Sequence, residues 1–453
     1  MKNSLTRRGF MRTAAAGSAA LTWLGTGGAP TALAAAAAKP ALLGGKPAHQ
    51  GGWPGWPEWR QSWEPAVFKV LRSGHWFRGT GEHVADFEAA YAKLLGAKGC
   101  LATASGTTSL MVALHVMGVD AGDEVITSPY TFIATYNAIL DARALPVFAD
   151  TDPATLTMDP ASIESRITDR TRAVLPVHIF GMPCEMDAIN AIARQHKLAV
   201  IEDACQAWLA EYHGRMCGTL GDLGCFSFQN SKHLPAGEGG AVTGTRQELI
   251  DRANSFHNCG RAVGTNKGNG CFTRGVNFRM TQMQAVMLLQ QLDKLVRETA
   301  RRRESADRLT AGLQQIPGIH PARLPQDSRA VWHLYAFRYD KEQFHGLPYG
   351  KFVEALNAEG VPCGGIYSEQ YFDGLLDEAI ASRGFRRLFS PKRLKEYRDS
   401  LHELKGNKLV CQTTVAMTQN LLLADNRSVD QIVEAVAKLH AHSAELAKTS
   451  KTS

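Results

Sequence analysis

Short, uniformly apolar segments alternate with segments of helical periodicity through the middle of the chain. "CLATA" precedes "SLMVALHVMGV", "EVITS" precedes "FIATYNAILDA", and "LAVIED", "GCFSF" and "GAVTG" come later. A strand that is apolar throughout is buried on both faces, and a helix after each strand provides the crossover that parallel strands require. We therefore predict an α/β fold in which helices cover both faces of a mostly parallel sheet.

Changes in composition divide the chain of 453 residues into parts, a length that fits two or three domains. A segment rich in Gly, Pro and Trp predicts an N-terminal arm at residues 39–84. The alternating segments predict a large domain at 85–304. Residues 305–453 predict a smaller α+β domain, in which 370–410 carries many charges and few strand signals.

Two helices have clear sequence limits. The segment 83–97 spaces its apolar residues as one face of a helix and has Gly96 near its end, where a helix commonly stops. A second, long helix is predicted from about 280 to 304, at the end of the large domain.

The N-terminus has the order of an export signal. Arg7, Arg8 and Phe10 precede a weakly apolar Ala- and Gly-rich segment, and Ala32-Leu33-Ala34 is a small-residue cleavage site. Residues 1–38 thus resemble a twin-arginine signal peptide, which carries folded proteins and predicts a periplasmic or exported enzyme. If the leader is only an amphipathic or disordered segment, the protein is cytoplasmic. The apolar part is shorter than the ~20 residues that span a bilayer, so we expect no stable membrane insertion.

Net charge and cysteine usage exclude other classes of protein. Removal of a leader with four basic residues and no acid would lower the net charge from +7 to +3, too little to indicate nucleic-acid binding. The nine cysteines form no CxxC pair, so neither a zinc site nor a disulfide framework is indicated, and we expect no metal.

Three junctions between strands and loops carry candidate chemistry. "TASGTTSL" places Gly106 and Thr107 at a helix N-terminus, where free amides bind phosphate; Asp203 ends an apolar strand; and Lys232 lies before the glycine-rich "AGEGG". Each also has an ordinary interpretation, as a helix cap, a satisfied acid and a solvated lysine. Together they are what pyridoxal 5'-phosphate needs: a phosphate site, an acid for the pyridine nitrogen and an amine.

Longer blocks of sequence resemble the DegT/StrS family. They include "GDEVITSPYTFIATYNAIL", "PVFADTDPATLTMDP", "VIEDACQAWLAEYHGRMCGTLGDLGCFSFQNSKHLPAGEGGAVTG" and "GVNFRMTQMQA", and the similarity runs from about residue 74 to past 300. Members of this family are fold-type-I aminotransferases that depend on pyridoxal phosphate and act on nucleotide-linked keto sugars and inososes.

The resemblance implies a role for each matching residue around the cofactor ring. Lys232 forms the Schiff base and carries the proton between the substrate carbon and the cofactor. Asp203 pairs with the pyridinium nitrogen, Gln206 reaches the ring hydroxyl, and Phe132 stacks on the ring face. Phe132 taken alone is equally a core aromatic residue.

The resemblance also implies a shared phosphate site. Gly106, Thr107 and Ser227 hold the phosphate, and Asn277 adds to it from the other subunit. The enzyme is therefore expected to be a homodimer whose active sites need both chains.

Four further residues have two interpretations each. His178, Arg279 and Tyr367 either touch the substrate or serve as packing or interface residues. Trp208 stands where family members often have small or polar residues, and it either narrows the sugar pocket or fills the core.

The sequence thus predicts an aminotransferase that moves an amino group from glutamate or glutamine to a keto sugar or keto cyclitol. One alternative is a sugar dehydratase of the same family, although Lys232 disfavours the deoxygenating members that have His in its place. The other is a binding or regulatory protein without turnover. A leader is foreign to the familiar cytoplasmic members, which disfavours a nucleotide-linked substrate.

Overall fold

A computed structural model describes residues 38–263, 270–271 and 273–449. The predicted signal peptide falls almost entirely before these residues, so its cleavage site lies outside the described part of the chain. No helix among the described residues is long and apolar enough to cross a membrane.

Helices and short strands alternate as predicted up to residue 203, but between 199 and 244 five strands follow one another without a helix. The helices are α1 (Glu64–Ser73), α2 (His83–Leu95), α3 (Gly106–Val116), α4 (Ala134–Asp141), α5 (Met186–His196), α6 (Gln247–His257), α7 (Gln282–Leu289), α8 (Leu292–Leu313), α9 (Tyr349–Ala358), α10 (Leu375–Ala381), α11 (Arg383–Leu388), α12 (Pro391–Ser400), α13 (Lys405–Thr413), α14 (Asn426–Ala441) and α15 (Ser443–Thr449). The strands are β1 (Gly99–Thr103), β2 (Glu124–Thr127), β3 (Leu145–Phe148), β4 (Thr171–Leu175), β5 (Ala199–Asp203), β6 (Glu211–Tyr212), β7 (Arg215–Met216), β8 (Leu223–Ser227), β9 (Gly240–Gly244), β10 (Ile319–Pro321), β11 (Ser328–Arg329), β12 (Leu334–Tyr339) and β13 (Thr414–Thr418).

The central sheet has seven strands in the order β1-β9-β8-β5-β4-β2-β3. Strand β9 is antiparallel to both neighbours, and the other adjacent pairs are parallel. Side chains along β4 alternate between two hydrophobic clusters, with Ala173 and Leu175 in one and Val174 in the other. The sheet is therefore covered on both faces, which confirms the predicted fold class.

The carboxyl ends of the parallel strands lie at one edge of this sheet, where ligands of open α/β sheets bind. Thr103 ends β1, Asp203 ends β5 and Ser227 ends β8. Strand β9 begins at Gly240 opposite both Thr103 and Ser227. The loop that holds Lys232 connects β8 to β9 and so lies at the same edge.

The two helix predictions have different outcomes. The helix predicted at 83–97 is α2, with Gly96 as its C-cap at φ 71°. The long helix predicted from 280 to 304 is two helices, α7 and α8, which meet at Gln291. The side-chain Nε2 of Gln291 donates to the carbonyls of Met287 and Pro235, at 2.9 and 2.7 Å. Its backbone N–H donates instead to Leu288, which tightens the turn and ends α7.

The C-terminal part contains a three-stranded antiparallel sheet, β10-β12-β13, in which β10 contacts α8 and β12 contacts α13. Residues 375–413, where the sequence gives few signals, form α10 to α13. They pack a hydrophobic cluster against the edge of the central sheet, where Tyr371 and Phe385 join Phe148 of β3. These helices protect an edge strand that would otherwise be open to pairing.

Candidate active site

A cavity of about 700 Å³ lies at the carboxyl edge of the sheet. Its wall comes from the segments that follow β1, β2, β5 and β8, together with residues near β12. Seven of the eight residues predicted for the cofactor line it: Gly106, Thr107, Phe132, Asp203, Gln206, Ser227 and Lys232. The fold therefore brings together in one cavity residues that lie up to 126 positions apart.

The first turn of α3 faces this cavity with free donors. Ser105 and Thr108 cap the helix reciprocally, as each side chain accepts the other's backbone N–H. The N–H groups of Gly106 and Thr107 have no acceptor among the described residues. Two unpaired amides at the positive end of a helix form an anion site.

Gly106 has no room for a side chain. A Cβ at this position would lie 2.6 Å from Ser227 Cβ and 3.0 Å from Cys205 Sγ. The end of β8 therefore approaches the first turn of α3 closely. This approach places the Ser227 hydroxyl beside the free amides, where it provides a third donor for the same anion.

Asp203 is 5% exposed, and two donors hold its carboxylate. Thr135 Oγ1 donates to one oxygen at 2.8 Å, and the backbone N–H of Cys205 donates to the other at 3.2 Å. These bonds fix the orientation of the acid and leave it facing the cavity. A buried carboxylate stabilises a positive charge placed opposite it, such as a protonated pyridine nitrogen.

Lys232 extends into the cavity from the loop between β8 and β9. Its Nζ lies 3.4 Å from His333 Nε2 and 5.9 Å from the centre of the Trp208 ring. Burial lowers the pKa of the lysine, and the nearby Cys205 and Asp203 oppose this only in part. A larger fraction of the amine is therefore neutral, and thus nucleophilic, at a given pH than in an ordinary lysine.

His333, which the sequence reasoning missed, lies just before β12, where no motif relates it to Lys232, 101 residues earlier. Burial, followed by the charges of Lys232 and Arg302, holds the pKa of His333 well below its usual range. The imidazole is therefore neutral, and its Nε2 is placed to accept from the Lys232 ammonium. Thr135 was missed for the same reason, since a threonine in "FIATY" has no signature of an acid's partner.

Gln206 is engaged at both ends of its amide. Its Oε1 accepts the backbone N–H of Phe180 at 2.8 Å, and its Nε2 donates to the Tyr367 hydroxyl at 3.1 Å. Tyr367 lines the cavity, and burial raises its pKa to about 12. Of the four residues with two interpretations, Tyr367 is the one that reaches the cavity.

The other three serve in packing. His178 is fully buried and bonds Glu202 at 3.0 Å, which favours the packing interpretation for it. Arg279 bonds Asn258 at 2.8 Å and lies over the Phe77 ring, outside the cavity. Trp208 is fully buried and donates its indole N–H to the carbonyl of Ser227 at 3.0 Å, so it fills the core behind the strand end.

Asn277 and Phe132 are the exposed members of the predicted set. Asn277 is exposed, pairs with Asn258 in an isolated bridge and does not line the cavity of its own chain. Phe132 lines the cavity but is 56% exposed. The single chain therefore leaves one side of the cavity open.

Comparison with known proteins places the chain among aminotransferases. A sequence profile of the DegT/DnrJ/EryC1/StrS aminotransferase family matches residues 58–380. The L-glutamine:2-deoxy-scyllo-inosose aminotransferase of Streptoalloteichus tenebrarius is 34% identical over 425 residues, which cover 90% of this chain and 98% of that protein. The spore coat polysaccharide biosynthesis protein SpsC of Bacillus subtilis is 40% identical over 301 residues, 65% of this chain and 77% of that protein. The solved structure of DesI in the presence of its TDP-sugar product has a TM-score of 0.74 at 27% identity, and the match covers 91% of this chain and 98% of DesI.

The cavity fits the cofactor of fold-type-I aminotransferases, pyridoxal 5'-phosphate. The free amides of Gly106 and Thr107 suit its phosphate, the fixed carboxylate of Asp203 suits its pyridine nitrogen, and the Lys232 amine suits its aldehyde. The chain is thus an aminotransferase that depends on this cofactor. By its sequence, its fold and the donor set of its cavity, the chain belongs to the DegT/DnrJ/EryC1/StrS aminotransferase family.

Proposed function

We propose that the enzyme transfers the amino group of glutamine or glutamate to a keto cyclitol or an unlinked keto sugar. The observation that carries this proposal is the placement of the Lys232 amine in one cavity with the Asp203 carboxylate and the free amides of α3. Pyridoxal phosphate, when bound, supplies an electron sink for the electron pair of a broken C–H bond.

The chain's own residues divide the work of binding and orientation. Gly106, Thr107 and Ser227 would hold the phosphate, and Asp203 would keep the pyridine nitrogen protonated. Phe132 and the Gln206 side chain would orient the ring. Contacts at the phosphate, at the pyridine nitrogen and on the ring would together fix the ring relative to Lys232. Fast proton transfer requires this fixed position of the amine.

Lys232 has a second task as the acid and base of the reaction. Its lowered pKa makes the neutral amine available to remove a proton from the donor carbon. The neutral imidazole of His333, 3.4 Å from Nζ, accepts a hydrogen bond from the ammonium that results. Lys232 would then give this proton to the bound cofactor, and in the second half-reaction it would carry a proton the other way, from the cofactor to the carbonyl carbon of the acceptor.

The name of one relative and the proposed export signal support a cyclitol or free sugar as acceptor. The Streptoalloteichus tenebrarius relative, which matches 90% of this chain, is named for glutamine and 2-deoxy-scyllo-inosose. The leader with Arg7 and Arg8 points to a compartment outside the cytoplasm, where nucleotide-linked sugars are not made. The structural neighbour DesI, in contrast, was solved with a TDP-sugar product.

A two-step assay tests the proposed donor and acceptor. Glutamine or glutamate added to the purified, cofactor-loaded enzyme should bleach its visible absorption band, and scyllo-inosose added afterwards should restore it. Lys232→Ala is the matched control and should show neither change. Recovery with a TDP-linked keto sugar but with no free cyclitol or sugar would contradict the proposed acceptor class and leave the aminotransferase assignment standing.

The proposal includes a homodimer in which Asn277 completes the phosphate site of the partner. The exposure of Asn277 and Phe132 supports it, since both lack cover in the single chain. Lys232→Ala and Asn277→Ala variants should each be inactive, yet their mixture should regain activity, because one site of each mixed dimer then holds both native residues. No recovery on subunit exchange would mean that Asn277 does not serve the partner's site.

The proposal also includes export of the folded, loaded enzyme by the twin-arginine route and cleavage near Ala34. Replacement of Arg7 and Arg8 by Lys keeps the charge but removes the paired guanidinium groups, and should retain a full-length, coloured protein in the cytoplasm. Arg12→Lys is the matched control and should leave export unchanged. A wild-type chain found in the cytoplasm with its leader intact would refute this part and would favour a nucleotide-linked acceptor.

A further inference from the structure

The N-terminal arm is bonded to the C-terminal elements along its length. The amides of Ala41 and Ala48 donate to the two carboxylate oxygens of Glu359 at 2.7 and 2.8 Å, and Lys438 Nζ pairs with the same carboxylate at 2.7 Å. Glu359 is fully buried. A buried carboxylate with three such donors is a strong attachment point, so this part of the arm has a fixed place.

Closer to the active site, the arm is held by two more bonds. The indole N–H of Trp53 donates to the carbonyl of Gly360 at 2.8 Å, and Asn420 Nδ2 donates to the carbonyl of Pro54 at 2.7 Å. These contacts bring the next aromatic residue, Trp56, to the loop between β8 and β9.

Trp56 bonds the backbone of the lysine that holds the cofactor. Its Nε1 donates to the carbonyl of Lys232 at 3.1 Å. No other donor to this carbonyl is recorded among the residues that the structure describes. The amide of Lys232 is fixed within the loop by the carbonyl of Gln229 at 2.9 Å, so the arm supplies the hydrogen bond that ties the Lys232 carbonyl to an element outside the loop.

The Trp56 ring also contacts two buried cations. Lys294 Nζ lies 4.4 Å from the ring centre and the Arg302 guanidinium 5.1 Å from it. Both cations belong to α8 and pair with Glu298. Cation–π contacts are strongest where the cation is desolvated, so the indole has little freedom to turn its N–H away from Lys232.

We infer that Trp56 is a positioning residue for the reaction: its indole N–H fixes the backbone of Lys232 and so sets where the lysine amine stands in the cavity. The inference rests on the proposed function, which assigns the cofactor and the proton transfer to Lys232. Because both tasks depend on the position of one atom, loss of this bond should slow the chemical step more than it weakens substrate binding.

Trp56→Phe tests the inference, because it removes the N–H and keeps an aromatic ring beside the cations. Two control variants, Trp53→Phe and Asn420→Ala, each remove one hydrogen bond between the arm and the C-terminal part of the chain. Both leave the indole of Trp56 unchanged. Three measurements apply to all of them: the rate at which apo-protein forms its visible band with added pyridoxal phosphate, the pH midpoint of that band, and kcat and KM for the amino donor. Urea unfolding verifies that each variant is folded.

The Trp56→Phe protein should form the band more slowly and with a shifted pH midpoint. Its kcat should fall about five- to tenfold, the effect of one ordinary hydrogen bond, and its KM should change less than about twofold. Trp53→Phe and Asn420→Ala should change all three by less than Trp56→Phe does, because Lys294 and Arg302 still hold the indole. Equal effects in the three variants would assign the role to the docked arm as a whole and overturn the inference for Trp56. Wild-type behaviour of Trp56→Phe would overturn it as well.

The measurements distinguish a failure of the proposed function from a failure of the role inferred for Trp56. If wild-type protein forms no visible band, or if Lys232→Ala forms the same band, then Lys232 does not hold the cofactor and the proposed function fails. A band that depends on Lys232, with Trp56→Phe indistinguishable from wild type, leaves the proposed function in place and rejects the role of Trp56 alone.

Discussion

Substitution of Gly106 by alanine tests the phosphate site separately from the other parts of the cavity. The added methyl would lie 2.6 Å from Ser227 Cβ, at the end of β8, and 3.0 Å from Cys205 Sγ, just after β5. Overpacking of this kind typically costs ~1–3 kcal/mol, and the higher helix propensity of alanine returns at most ~1 kcal/mol. We expect the free energy of unfolding of the cofactor-free protein to fall by about 1–2 kcal/mol.

The larger effect should be on the cofactor. Relief of the clash moves either the α3 amides or the Ser227 hydroxyl, and a hydrogen bond to a charged group contributes ~1.5–3 kcal/mol. Since 1.4 kcal/mol corresponds to a tenfold change in Kd, loss of one phosphate bond should weaken pyridoxal phosphate binding by about ten- to a hundredfold.

Equilibrium titration of apo-protein with the cofactor measures this effect, with urea unfolding as the measure of stability. Gly350→Ala is the matched control, because Gly350 lies in the first turn of α9 and a Cβ there meets no atom within 4 Å. It should bind the cofactor as wild type does. If Gly106→Ala also binds the cofactor with wild-type affinity, the first turn of α3 is not the phosphate site and the reasoning is refuted.

Four further predictions concern the amine and the acid. Asp203→Ala should leave the protein folded and lower turnover by about a hundredfold or more, because no charge then stabilises the protonated ring; near-normal kcat would reduce Asp203 to a satisfied strand-end acid. Thr135→Val removes one of the two donors to Asp203 and should lower kcat by less than Asp203→Ala does; steady-state kinetics that rank the two variants in the opposite order would contradict this. The rate of cofactor addition to apo-protein should rise with pH as Lys232 loses its proton, with a midpoint below that of ordinary lysine because burial lowers this pKa. His333→Phe should move that midpoint lower still, since the ammonium loses its acceptor, and an upward shift would show that His333 does not stabilise the charge.

The sequence predicts those parts of the fold that depend on local pattern. Segments such as "LAVIED" are largely apolar because β5 is buried, and β1 and β2 are each followed by a helix, so the parallel sheet could be predicted directly. The position of antiparallel β9 between β1 and β8 could not, because that order depends on pairing between strands far apart in the chain. The break at Gln291 depends in the same way on a distant carbonyl, that of Pro235.

The same distinction, between local sequence pattern and contacts made by distant residues, applies to the active site. Gly106, Asp203 and Lys232 follow strands directly, so their arrival at one edge of the sheet follows from the topology. His333 and Thr135 have no such signal, because their importance comes from a neighbour that only the folded chain provides. His178 shows the opposite case: a histidine after an apolar strand suggests chemistry, but its ring is fully buried against Glu202.

The central claim is that Lys232 holds the cofactor. Borohydride reduction of the native, coloured enzyme fixes the bond between the cofactor and the amine that carries it, and mass spectrometry of a proteolytic digest then locates the modified lysine. We predict that the pyridoxyl group is found on the peptide that contains Lys232 and that Lys232→Ala protein carries none. A modified lysine elsewhere in the chain, or a coloured Lys232→Ala variant, would contradict the account.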